Sequence, residues 1–265
     1  MTDADSEKPE VEGDKYRAPA LEKGLDILEL LSKTHEPLNS TQISDQLKRT
    51  KAELYRMLQV LESRGYLERP ADAEAYVITR KLLQLATERQ PLKDLLEFSA
   101  PLMRRFSEKT NQGVHIAVQS LEQLVVIARS EAVGMIGYTV RVGYRKPLAL
   151  TTSGKVLFAF QPPEVKEQWL VHIKEYLDEA ALNQFLSDSR KVQQRGYEQA
   201  QSVFVRGVTD LAVPILDNGI AIATLTSPYI DQSPCPLSQA EATQELLKAA
   251  ELISSALKLG YIRNL

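Results

Sequence analysis

The chain has a single cysteine, Cys235, within "QSPCPLS". One thiol cannot cross-link the fold, and no CxxC or zinc-ligand spacing surrounds it, so it reads as a passive loop residue. No apolar run reaches the roughly 18 residues that a membrane-spanning helix needs. The first 14 residues, "MTDADSEKPEVEGD", are acidic and polar, the reverse of a secretory signal. They are expected to form a disordered leader on a cytoplasmic protein. The three histidines, His35, His115 and His172, are scattered, and none has HExxH spacing. The "TTSGK" stretch has the Gly-Lys of a phosphate loop, but Ala149 stands where the first glycine belongs and Val156 where Ser or Thr belongs. Ser153 and Lys155 do not form a Ser-x-x-Lys pair, and there is no nucleophile elbow. No catalytic residue, metal or cofactor is therefore expected. An excess of positive charge is also missing. The net charge is −3, so any nucleic-acid surface must be local.

What is present is ordinary globular material: 43% hydrophobic and 25% charged residues over 265 positions, enough for two domains. "APALEKGLDILELLSK" sets Leu21, Leu25, Leu28 and Leu31 on one side of a helix, widened by Ile27 and Leu30. Pro37 breaks the chain. Asn39 with Gln42 has the spacing of a capping box for a short second helix, and Thr50 with Glu53 has it for a third. Leu54, Met57, Leu58 and Leu61 form the apolar stripe of that third helix, and Gly65 supplies its stop. "YLERPADAEAYVITR" predicts two short strands, 66–69 and 75–79. Three helices followed by a hairpin make a winged helix-turn-helix.

A helix that enters a DNA major groove buries one face and offers the other. With its stripe buried, the third helix offers Lys51, Ala52, Tyr55, Arg56 and Gln59. Arg49 and Lys51 sit by the positive end of the helix dipole, where they suit phosphate better than helix stability. Over residues 40–64, five cations (Lys48, Arg49, Lys51, Arg56, Arg64) face three carboxylates (Asp45, Glu53, Glu62), a balance of +2. Candidate DNA contacts are Arg49, Thr50, Lys51, Ala52, Tyr55 and Arg56, with Ser40, Thr41 and Arg69 on phosphates. Glu53 could accept from a cytosine amino group, but the capping box explains it without DNA.

Beyond Pro91 a helix with Ser99 as N-cap, Pro101 near its first turn and Gly113 as stop is expected. Strands follow in "VHIAVQ", "LVVIARSE" and "MIGYTVRVG". A helix begins in "TTSGKVLFAF", and a helical stretch runs over 163–195. Asp217-Asn218-Gly219 turns a hairpin, and a last helix covers 238–259.

The pieces "ALEKGLDILELL", "YRMLQVLESRGYLER", "VGYRKPLALTTSGKVLFAF", "VQQRGYEQ" and "VTDLAVPILDNGIAIATLTSP" occur in an order and spacing that resemble the IclR-type transcriptional regulators, from about Ala18 to Leu259. The resemblance implies an α+β chain. A winged helix-turn-helix would be joined by a linker helix to a GAF-like effector domain with an antiparallel sheet flanked by helices. It also implies homodimers or homotetramers on a palindromic double-stranded DNA operator, controlled by a small organic acid or aromatic metabolite. The corresponding domains are 1–14 (leader), 15–79 (winged helix-turn-helix), 80–90 (linker helix) and 91–265 (effector binding and oligomerisation). Where relatives carry a Ser-Thr pair at the start of the third helix, this chain has Ala52-Glu53, and it has Ala200 where an acid often follows the Gly-Tyr pair.

By the same resemblance, backbone amides at Thr152 and Ser153 would hold a carboxylate, and Asp210, Thr224 and Thr226 fall on ligand positions. The residue types suit that role. Thr224 and Thr226 emerge on one face of a strand, although Thr is also simply a good strand former. Thr152 and Ser153 open a helix whose free N–H groups favour an anion. Asp210 would repel a carboxylate if ionised and so would accept from a ligand hydroxyl. Met135, Ile136 and Tyr138 are candidates for an apolar wall. The alternative is a metabolite sensor that acts through protein partners without specific DNA binding.

Overall fold

The computed structural model describes residues 18–34, 36–70, 74–88, 90–134, 137–233 and 235–259. The expected leader, His35, Met135 and Ile136 lie outside them. The chain divides into two compact units, Met1–Glu88 and Arg89–Leu265. No helix among the described residues is long and apolar enough to cross a membrane.

In the first unit, α1 (Pro19–Lys33), α2 (Ser40–Leu47) and α3 (Lys51–Ser63) pack on a three-stranded sheet of β1 (Leu38–Asn39), β2 (Leu67–Glu68) and β3 (Ala75–Ile78), in the order β1-β3-β2. The strand β1 was not foreseen. Two residues carry no periodic signal, and it exists only because it pairs Leu38 with Tyr76. Both capping boxes form: Asn39 accepts from Gln42 at 2.9 Å, and Thr50 accepts from Glu53 while the Glu53 carboxylate takes the Thr50 N–H at 3.0 Å. The core is Ile27, Leu31, Ile43, Leu54, Leu58 and Leu67. The apolar stripe expected on α1 is split. Ile27 and Leu31 are buried, but Leu21 and Leu25 are 63% and 47% exposed, because α3 covers only part of so wide a face. The helix α4 (Lys81–Glu88) completes this unit.

The second unit opens with α5 (Gln90–Thr110). Ser99 is not its N-cap. The helix starts nine residues earlier, with Pro91 in its first turn, and runs through Pro101 because Leu95, Met103 and Phe106 are all buried along it. A six-stranded antiparallel sheet follows, in the order β6-β5-β4-β9-β8-β7: β4 (Val114–Ser120), β5 (Gln123–Ser130), β6 (Arg145–Pro147), β7 (Glu198–Gln201), β8 (Val208–Asp217) and β9 (Ile220–Ile230). The β8–β9 turn has Asn218 at φ 48° and Gly219 at φ 84°, the two positive angles of a tight hairpin. No strand spans 137–143. Gly143 instead turns the chain at φ 84° so that Val126 and Tyr144 pair, and the strand falls at β6.

One face of the sheet, with Val114, Ile116, Leu211, Val213 and Leu225, packs on α5 and α9 (Gln239–Lys258) in the main core. The other face carries α6 (Thr152–Ala159), entered by a single 3-10 turn at Leu148–Leu150. The stretch expected as one helix over 163–195 is two, α7 (Pro163–Tyr176) and α8 (Glu179–Arg195). Asp178 stops continuity by capping the second through the Ala181 N–H at 2.8 Å.

Trp169, the chain's one tryptophan, lies in the second unit and reports on it separately. Leu58→Ala should destabilise the first unit by about 3 kcal/mol, the usual penalty for truncating a buried leucine. Its far-UV circular-dichroism transition in urea should move to lower denaturant while the Trp169 fluorescence transition stays in place.

Candidate nucleic-acid interface and ligand cavity

The turn between α2 and α3 is held by backbone as well as side chains. Lys48 takes the left-handed conformation at φ 53°, Arg49 N–H donates to the Ser44 carbonyl at 3.1 Å, and the Ser44 hydroxyl donates to the Arg49 carbonyl. Two ion pairs anchor the start of α3 to α1: Arg49 to Asp26 and Lys23 to Glu53, each at 3.0 Å. Glu53 is thus fully engaged. Its hydrogen bonds with Thr50 and the nearby Lys23 ammonium hold its carboxyl at a pKa of about 2.

With Leu54 and Leu58 buried, Lys51, Ala52, Tyr55, Arg56 and Gln59 are all exposed, and Tyr55 is 57% so. Tyr55 Oη accepts from Gln59 Nε2 at 2.7 Å, which leaves its own proton free to donate. Neither Lys51 nor Arg56 is paired with a carboxylate among the described residues. Thr41 is exposed and Ser40 half-buried at the start of α2, where the Asn39 side chain caps the N–H groups of Thr41 and Gln42. Arg69 forms a two-point pair with Glu62 (Nε to Oε1 2.7 Å, Nη2 to Oε2 2.9 Å) and lies over the Tyr76 ring. Arg49 and Arg69 therefore already serve the fold.

The second unit contains a cavity of about 270 Å³ on the α6 side of the sheet. Thr152, Ser153, Asp210, Thr226 and Tyr138 line it. Thr224 does not: it is fully buried, and its hydroxyl donates to the Ala117 carbonyl at 3.4 Å. The sheet's alternation put both threonines on one face, but only Thr226 lies far enough along β9 to reach the opening. Met135 lies outside the described residues. Leu124, Val126, Tyr144 and Phe204 supply the apolar wall, the two rings meeting edge to face at 6.5 Å.

The polar end is built from α6. Thr151 caps it, accepting from Gly154 at 2.9 Å and Lys155 at its carbonyl, so the N–H groups of Thr152 and Ser153 are the open donors of the first turn. The Thr152 hydroxyl donates to Asp210 at 3.3 Å, and Ser153 and Thr226 share a hydrogen bond of 2.8 Å. Burial makes Asp210 hold its proton more tightly than an ordinary aspartate, an effect opposed by its bonds from Thr152 and Ser202. Gly154 is a steric necessity. A β-carbon there would fall inside van der Waals distance of the Leu148 carbonyl oxygen and 2.7 Å from Thr151 Oγ1. Lys155 is not part of the cavity lining. It pairs with Asp188 and Glu198, each at 3.4 Å, tying α6 to α8 and β7.

His115 and Arg141 also line the cavity and were not foreseen. The signal for His115 was non-local: its partner across the β4–β9 ladder is Thr226, so the two share a face once the register is known. Burial keeps its imidazole neutral, with a pKa lowered to about 4. Among the described residues, one further group of metal-ligating types gathers, on the surface: His172 Nδ1 lies 3.0 Å from Glu122 and 3.4 Å from Glu175.

The IclR helix-turn-helix domain model matches residues 20–71, and the model of the bacterial transcriptional regulator IclR C-terminal domain matches residues 91–255. The chain is 27% identical over 205 residues to the HTH-type transcriptional regulator KdgR of Dickeya chrysanthemi, covering 76% of this chain and 67% of that one. It is 26% identical over 245 residues to the Pca operon regulatory protein of Acinetobacter baylyi, covering 85% and 87%. Among solved structures, an IclR homolog from Microbacterium hydrocarbonoxydans complexed with 4-hydroxybenzoate superposes with a TM-score of 0.77 at 20% identity, covering 91% of this chain and 99% of that one.

Two outcomes follow from the cavity's construction. Gly154→Ala should cost about 2 kcal/mol through overpacking and shift the first turn of α6, seen as an earlier Trp169 unfolding transition. His115 should make stability pH-dependent. Between pH 6.5 and about 4 the unfolded chain binds a proton that the folded chain refuses, so stability falls as pH falls across that window. A displacement of this size corresponds to about 3 kcal/mol. Urea unfolding at pH 7.5 and 4.5 should show this dependence in the wild type and a weaker one in His115→Asn.

Proposed function

Since the chain belongs to the IclR family of DNA-binding transcriptional regulators, we propose that it reads a palindromic operator as a homodimer or homotetramer and is controlled by a small organic acid or aromatic metabolite in the α6 cavity. The observation that carries the DNA half is the exposed cation pair Lys51 and Arg56, without a carboxylate partner among the described residues, on the outward face of a helix whose other face is sealed in the core. In this reading Lys51, Ala52, Tyr55 and Arg56 enter the major groove, and Ser40 and Thr41 meet phosphate from the start of α2. Thr50 caps α3. Arg49 and Arg69 brace the turn and the wing through Asp26 and Glu62, and approach phosphate only as exposed edges of those pairs.

Assembly is supported by an apolar groove on the first unit. Leu21, Leu25, Val60 and Leu82 are exposed around an apolar depression of about 530 Å³, the kind of contiguous patch on which a second copy can pack. Two such units would read half-sites about 34 Å apart or a multiple of that. The effector half is supported by the open α6 amides for a carboxylate, by Asp210 for a hydroxyl, and by the ring wall of Tyr144 and Phe204. A relative's control of a pca operon and the 4-hydroxybenzoate held by a structural neighbour agree with that choice. A cytoplasmic setting belongs to the same reading.

Fluorescence anisotropy on duplexes from the protein's own promoter region tests it. Binding should weaken steeply as salt rises, because released counterions drive it. Lys51→Ala should flatten the slope of log affinity against log salt by about one if Lys51 touches a phosphate. A loss confined to one operator position would instead mark a base contact. The absence of salt-sensitive binding to any duplex would refute the proposal.

A further inference from the structure

Outside the cavity lining, a second cluster of chemically able side chains forms where the turn between β4 and β5 meets α7. Glu122 stands in that turn, and its backbone is fixed there, because its carbonyl accepts from the Leu148 N–H at 3.2 Å. His172 and Glu175 are three residues apart on α7 and so share one face of the helix. His172 Nδ1 lies 3.0 Å from Glu122 Oε1 and 3.4 Å from Glu175 Oε1, yet it is hydrogen-bonded to neither. No lysine or arginine pairs with either carboxylate among the described residues. Two anions therefore converge on one imidazole nitrogen with no fixed positive charge between them.

The spacing is that of donors around a single ion. Nitrogen and oxygen ligands about 2.1 Å from one zinc ion at tetrahedral angles stand about 3.4 Å apart. The two nitrogen–oxygen distances here are close to that value, and all three donor atoms lie within 4.8 Å of one another. The site is also open to solvent. The side chains of Glu122, His172 and Glu175 are 41%, 44% and 58% exposed, so a cation meets the two carboxylates first and reaches the imidazole between them. A depression of about 20 Å³, lined by Glu122, His172 and Trp169, adjoins the cluster. It has room for the one water that completes four ligands. One imidazole with two carboxylates suits zinc and its neighbours better than magnesium, which prefers oxygen donors alone.

We infer that Glu122, His172 and Glu175 form a binding site for a divalent transition-metal ion of the zinc type, with His172 Nδ1 and one oxygen of each carboxylate as its protein ligands. In the bound form the imidazole is neutral, carries its proton on Nε2 and gives its Nδ1 lone pair to the ion. The two carboxylates balance the ion's two charges, so the loaded site is electrically neutral. The ion joins the β4–β5 turn to α7, beside the residue Leu148 that begins the 3-10 turn into α6.

Isothermal titration of the full, tag-free chain with zinc chloride, and separately with magnesium chloride, tests the site. Zinc should saturate one site per chain and bind about 10-fold or more tightly than magnesium. His172→Gln and Glu122→Gln should each weaken zinc by about 10-fold or more, at least the loss that follows removal of an outer-shell partner. Saturating zinc should also move the Trp169 fluorescence transition in urea to higher denaturant in the wild type and leave it in place in His172→Gln, since the ion binds only the folded arrangement. No saturable zinc binding to the folded wild type, zinc binding that both variants leave unchanged, or magnesium binding as tight as zinc overturns the inference. Should a variant not fold, nickel quenching of Trp169 in the unmutated protein decides, because that ring lines the same depression as Glu122 and His172. Quenching should saturate at one equivalent and be reversed by zinc, and a fluorescence indifferent to nickel overturns the inference.

Discussion

A helix begins with N–H groups that no turn before it can satisfy, and both sites of this protein are shaped by what meets them. At α3 a carboxylate of the chain already stands at the first turn: Thr50 and Glu53 close a capping box, and Lys23 pairs with Glu53. What α3 offers outward is therefore side chain: Lys51, Tyr55 and Arg56. At α6 Thr151 takes the Gly154 and Lys155 amides in the same way, but no acidic residue stands in the first turn, and Thr152 and Ser153 line the cavity. The same structural problem thus leaves exposed cations, Lys51 and Arg56, on one helix and a first turn without a carboxylate at the cavity end of the other.

How much of this was legible follows from how local each feature is. The capping boxes, the Asn218-Gly219 hairpin and the buried pair Leu54 and Leu58 depend on residues within a turn or two, and their spacing carried them. The start of α5 was misplaced because Ser99 and Pro101 make a good local N-terminus. The stronger term, burial of Leu95 against distant strands and α9, is invisible to spacing. Residues 137–143 have strand composition, but no neighbouring edge accepts them, and Gly143 turns the chain toward Val126 instead. Thr224 and Thr226 are equivalent by alternation and differ only in depth, which depends on where the cavity opens. His115 is the extreme case. Its role is set by register with a strand more than a hundred positions away, so among three scattered histidines nothing in the sequence marked it.

The splitting of the α1 stripe has the same origin. A helix with leucines at 21, 25, 28 and 31 and with Ile27 and Leu30 beside them is apolar over more of its circumference than α3 can cover. Periodicity reports the width of such a stripe but not how many partners share it. Here the covered part is the unit's own core and the uncovered part is the groove shared with Val60 and Leu82.

An effector alters DNA affinity only to the extent that it binds two arrangements of the protein unequally. The cavity is well placed to supply such a difference, because its polar contacts join separate elements, the helix α6 and the sheet. Thr152 on α6 touches Asp210 on β8, Ser153 on α6 touches Thr226 on β9, and the loop bearing Tyr138 and Arg141 closes another side. A ligand held by the α6 amides competes with or reinforces these bonds, so it changes the balance between α6 and the sheet rather than merely filling space. That balance is delicate, since Gly154 sits against the Leu148 carbonyl with no room for a methyl group and Lys155 ties the same helix to Asp188 and Glu198. A helix so tightly held resists small displacements, so a ligand on its first turn would act on the packing of the whole helix against the sheet.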